Sequence, residues 1–153
     1  MPAIPHSTLA DFDGMVATAN VTDEIAMAEF IRGLTDAADP ALDHVDLIAL
    51  HEFLSGTLAR LYARQVSDLA TATWCPDWWR HPEAVERLWL LFLLRTAATD
   101  AESRSTWWDV HARPHMEALM DPAGPFKYCS VRHGHTDMLK PLPFNPPPAS
   151  AAA

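Results

Sequence analysis

Seven apolar residues, Leu88 to Leu94, follow one another without interruption inside a helical pattern that runs from about Glu83 to Ala98. A helix that turns apolar on all sides has to be covered on all sides. The segment therefore predicts a buried central helix with other elements packed around it. Seven residues are far short of the roughly 20 that cross a bilayer, so no membrane span is expected and the covering should be protein.

The neighbouring patterns supply that covering. From about Asp43 to Leu69, apolar residues recur at three- and four-residue steps (Leu47, Leu50, Leu54, Leu58, Leu61, Val66), which predicts a long helix. Gly56 weakens its middle and suggests a bend or a close helix contact. An earlier helix is expected from Thr22, with Asp23 and Glu24 near its positive end and Ile25, Ala28 and Ile31 on its apolar face. A further helix capped by Ser103 or Ser105 should run to Asp121, kinked or split where Pro114 removes an N–H. The reading is an all-α domain of about four helices. Residues 1–20 form an arm, 21–137 a single helical domain, and 138–153 a Pro/Ala-rich tail expected to be disordered.

Charge narrows the function classes. Of the net -9, all belongs to residues 1–59, which hold ten acids and one base, Arg32. A basic patch is the usual footprint of a nucleic-acid binder, and its absence disfavours direct nucleic-acid binding. The N-terminus has no basic segment followed by an apolar stretch, so the expected compartment is the cytoplasm. A structural disulfide between Cys75 and Cys129 would be unusual there.

Trp74-Cys75-Pro76-Asp77-Trp78-Trp79-Arg80-His81-Pro82 has proline near both ends and no helical period, so it reads as a loop, with Pro82 suited to open the next helix. Thiolates and imidazoles are the donors that zinc prefers, and four of them make a closed structural site. Cys75, His81, Cys129 and His133 form such a set, as C-x5-H and C-x3-H, with His115 as an alternative ligand. Topology supports it: two helices joined by a short connection run antiparallel, which brings the residues before Pro82 beside those after Asp121. The competing reading makes both cysteines small buried hydrophobes and the histidines local hydrogen-bonders.

All six tryptophans fall between Trp74 and Trp108. Core packing explains most of them, Trp74, Trp79, Trp89 and Trp108 included, while Trp78 and Trp107, with His111, are the candidates for a partner-binding surface. Asp36, Asp39, Asp43, Asp46 and Glu52 either form a solvated face or act as a decoy for a basic protein. His111 with Asp109 or Glu117 is an acid–base pair without a nucleophile motif, so the sequence does not support an enzyme; a hydrolase using an incompletely ligated metal is the remaining catalytic alternative.

The order Trp74-Cys75-Pro76-x-Trp78-Trp79-x-His81-Pro82-Glu83-Ala84-Val85, then Trp107-Trp108, His111, Pro114-His115-Met116, Asp121-Pro122, Gly124-Pro125-Phe126, Cys129 and His133, resembles domain-of-unknown-function family 4913. The likeness covers about residues 74–133. It departs at Arg113, where the family pattern has an acidic residue before Pro-His. The resemblance implies a small protein of an actinobacterial plasmid, integrative element or phage, and no defined reaction. The expected function is a non-catalytic binding or accessory module with a protein partner, with one structural zinc ion as its expected cofactor.

Overall fold

The Asp46 side chain accepts the Ala49 N–H at 3.0 Å, satisfying a donor that the first turn of a helix leaves without a partner. Helix α1 starts there in the computed structural model, which describes residues 39–148 except Asp68 and Leu69, together with residues 25, 26, 28, 29 and 32. It covers residues 47–61 as an α segment Leu47–Phe53, a π turn Leu54–Leu58 and a final α turn Ala59–Leu61.

The expected span from Asp43 to Leu69 is thus shortened at both ends. Pro40–Leu42 forms a separate 3-10 turn ahead of it. At the other end Tyr62 leaves the helical region (φ -112°, ψ 40°). Its ring stacks on Trp108 at 6.2 Å, a contact with a distant segment that helix propensity alone does not encode. Gly56 lies in the π turn, and a Cβ there would meet nothing within 4 Å, so the local irregularity is real but no close helix contact exists.

Helix α2, Pro82–Ala97, opens with Pro82 in its first turn, where the absent N–H costs nothing. After a three-residue link, helix α3 covers residues 101–120 as Ala101–Thr106, a π turn Trp107–Ala112 and Arg113–Met120. Its cap is Asp100, not a serine. Asp100 accepts the Ser103 N–H at 2.8 Å, while the Ser103 hydroxyl accepts the Asp100 N–H at 3.2 Å. The helix passes Pro114 unbroken, because the widened turn includes Val110, whose carbonyl the proline ring would otherwise crowd.

Helices α2 and α3 form an antiparallel hairpin. Trp107 Nε1 donates to the Leu91 carbonyl at 2.9 Å, and one turn earlier on α2 Arg87 Nη1 lies 3.0 Å from His115 Nδ1, later on α3. Leu50 and Phe53 of α1 close the core over Ala84, Val85, Leu88 and Leu91 of α2 and Trp107, Met116 and Leu119 of α3.

Three helices are therefore present among the described residues where about four were expected. The helix from Thr22 and the arm lie largely outside the described residues; Ile25, Ala26, Ala28, Glu29 and Arg32 are helical and exposed. With two helices against it, α2 is not enclosed: Leu90 and Leu93 remain 38% and 45% exposed, which corrects the reading of a fully buried helix. No helix among the described residues is long and apolar enough to cross a membrane. The described residues contain no strand, only an isolated bridge between Ser130 and Gly134. Residues 138–148 carry no helix and are exposed.

Candidate metal centre

The chain entering the hairpin is tied to the chain leaving it. Thr73 N donates to the Met120 carbonyl at 2.9 Å, and the Thr73 hydroxyl lies 3.2 Å from the Asp121 carbonyl. Cys75 follows directly. A 3-10 turn, Trp78–Arg80, then brings His81 back to the same pole at the start of α2. Beyond Asp121 a run of turns returns Cys129 to this pole, with Gly124 set so tightly that a Cβ would stand 2.5 Å from the Ala118 carbonyl oxygen. Phe126, fully buried, lies under the pole and meets the rings of Trp74 and His81 edge-on at 5.1 and 4.9 Å.

Cys75, His81, Cys129 and His135 each offer one donor atom here, all within 4.8 Å of one another. Cys129 Sγ is 3.4 Å from His81 Nε2 and 3.8 Å from His135 Nδ1; Cys75 Sγ is 3.8 Å from His135 Nδ1; the two ring nitrogens are 3.0 Å apart. A tetrahedral zinc ion with sulfur at about 2.3 Å and nitrogen at about 2.0–2.1 Å has S···N edges of about 3.6 Å and an N···N edge of about 3.3 Å. These four distances stand within a few tenths of an ångström of those edges, and the remaining two lie within 4.8 Å. Cys75, His81 and Cys129 are buried, and His135 is half-buried.

Two features suit the sulfurs to anionic form. Thr136 N donates to Cys129 Sγ at 3.3 Å, and the backbone at Asp77 makes a corresponding bond to Cys75. Burial works the other way. Together with the neighbouring Cys129 it pushes the Cys75 thiol up to about 12, so at neutral pH the thiol keeps its proton unless a cation displaces it. Burial, then His135 and Arg80, brings His81 down to about 4, and burial followed by Arg80 also lowers His135. Without a cation the Cys75 thiol and the His81 ring are thus held in their uncharged forms; two thiolates would balance the charge of a divalent ion.

The residues expected at the site divide as follows. Cys75, His81 and Cys129 meet. His133 does not join them: its N–H donates to Ser130 Oγ at 2.9 Å within the turn, and its side chain is exposed. His135 takes the fourth place, which corrects the set read from the C-x3-H spacing. His115 also stands elsewhere, against Arg87, with its pKa lowered by burial and then by that guanidinium. The missed signal was regularity: Cys75–His81 and Cys129–His135 share the spacing C-x5-H.

Trp74, Trp79 and Trp89 pack against the core as expected, while three other tryptophans differ in exposure from the sequence reading. Trp78 and Trp107 are 5% and 1% exposed, while Trp108 is 36% exposed. Trp107 faces α2, where its N–H finds the Leu91 carbonyl, and its neighbour on the helix therefore turns outward. His111 is half-buried near Leu94 and Trp107. Arg113 pairs with Asp109 one turn back. In the acidic series, Asp39 and Asp46 accept backbone N–H groups as helix caps, whereas Asp36 lies outside the described residues.

With this geometry in place, sequence comparison decides the family. The profile of the family described as Domain of unknown function (DUF4913) matches residues 48–148. The chain belongs to this family. The match takes in α1 as well as the hairpin and both C-x5-H pairs, and it reaches into the C-terminal tail, beyond the 74–133 stretch that carries the visible likeness. No curated protein and no solved structure matches the chain significantly.

Proposed function

We propose that this protein is a non-catalytic binding or accessory module whose hairpin is locked by one structural zinc ion on Cys75, His81, Cys129 and His135. The observation that carries the reading is the convergence of two sulfurs and two ring nitrogens, buried or half-buried, at edge lengths close to those of a zinc tetrahedron. Four protein donors leave no open position for water or substrate, which speaks for a structural ion and against a metal-dependent hydrolase. The decoy reading is weakened because Asp39 and Asp46 already serve as caps.

The family resemblance supports a setting in a mobile element or phage and a cytoplasmic protein partner. With Trp78 and Trp107 buried, the partner contact falls to the exposed Trp108 and the half-buried His111 on α3.

The test is elemental analysis of protein purified without a metal-binding tag, with melting curves before and after chelation. One equivalent of zinc and a chelator-induced drop in melting temperature are expected, since metal binding at such a site contributes directly to folding. Metal-free protein that melts identically with and without chelator would sink the reading.

A further inference from the structure

A second feature is separate from the sulfur and imidazole donors. A cavity of about 400 Å³ opens between the second half of α1 and the last turns of α3, within the size range of small-molecule sites. Leu54 and Leu58 form one wall, Met116 and Met120 another, and Trp74 and Trp78 the third. The residues with polar side chains on its lining are few: His51, Ser55, Tyr62 and Arg64, besides the indoles of Trp74 and Trp78. None of the described residues that line it is a carboxylate, although the chain holds 20 Asp and Glu residues and a net charge of -9. On so acidic a protein, an apolar cavity whose described lining carries a cation and no carboxylate is suited to an anionic ligand rather than a cationic one.

We propose that this cavity binds a small apolar monocarboxylate, with its hydrocarbon part between the leucine, methionine and tryptophan walls and its carboxylate at Arg64. The guanidinium is held in place for this. Its carbon lies 4.2 Å from the Tyr62 ring centroid, and Nη1 donates to the Ala63 carbonyl at 3.0 Å, leaving further N–H groups for an anion. Methionine side chains adjust to apolar ligands of differing shape. Most of the affinity comes from burial of the hydrocarbon, and the charge supplies the selectivity. Because Arg64 is exposed, its ion pair is worth about two- to fivefold in affinity.

Decanoate, decanol and decyltrimethylammonium titrated into the full-length protein, followed by calorimetry and tryptophan fluorescence, test this. Saturable one-to-one binding is expected for decanoate, weaker for decanol and weakest for the cation. Arg64→Gln should lower decanoate affinity about two- to fivefold and leave decanol unchanged. Ala59→Phe, at an exposed helix position on the lining, should abolish binding with the melting temperature retained; Ser55→Trp serves if that variant does not fold. No saturable decanoate binding, equal affinity for all three amphiphiles, or undiminished binding in both filled variants overturns the proposal. The readout is independent of metal content, so its failure leaves the zinc reading standing.

Discussion

Gly134 stands between the two candidate histidines with φ +76°, in the left-handed region, where a residue bearing a Cβ is strained by about 1–2 kcal/mol. The Ser130–Gly134 bridge closes the turn and leaves His133 facing outward while His135 is aimed at the sulfurs. His135→Ala should therefore abolish zinc retention and His133→Ala preserve it, as read by metal content after gel filtration. Loss in both, or in neither, contradicts the assignment. Gly124 is constrained by space. Gly124→Ala forces a Cβ against the Ala118 carbonyl, and denaturant titration should show a loss of about 1–3 kcal/mol. Three donors were legible from residue type and order. The fourth had a signal in the repeated C-x5-H spacing, but the spacing also allowed His133, and only the positive φ at Gly134 decides which of the two faces the sulfurs.

At the level of elements, caps and hydrogen bonds across the hairpin matter most. The bonds from the Ser103 N–H and hydroxyl hold Asp100 below its ordinary carboxylate value of 3.8. A depressed folded value means the stabilisation is present above 3.8 and disappears as pH falls through the folded value. Asp100→Ala should lower the melting temperature at neutral pH, and the gap between variant and parent should close in strong acid. His115 has the same sign of linkage in a higher pH window. Burial and Arg87 keep it below 6.5, so the unfolded chain takes up the proton first and stability declines as pH falls below 6.5. His115→Gln should flatten that part of the melting profile; an unchanged slope would exclude His115 as its source. Pro82 as the start of α2 was readable from sequence because the constraint is local. The end of α1 at Tyr62 and the inward turn of Trp107 were not, since both depend on partners, Trp108 and Leu91, that only the packed hairpin supplies.

At the scale of the described molecule, helices α1 to α3 share one core with Phe126 and Cys129, whereas residues 121–137 otherwise contain turns and a single bridge. Phe126 and Cys129 tie that segment into the core, and under the zinc reading the metal would order the rest of it. Hydrogen exchange should show chelation exposing the amides of Ser130, Gly134 and Thr136 well before those of α2 and α3. Simultaneous exposure of all of them would mean that the hairpin has no stability of its own. The all-helical class was legible because apolar periodicity survives in three stretches. The exposed Leu90 and Leu93 show what periodicity leaves out: an unbroken apolar run does not say which of its sides a neighbouring element covers.

Thr73 and the four donors join the two strands of chain that enter and leave the hairpin. If the molecule were pulled from its ends, tension would cross at this junction and bypass α2 and α3, which would bear no load until coordination failed. Stretching a single molecule should thus give one rupture followed by a sudden gain in length, and with chelator present the same length should be released gradually at lower force.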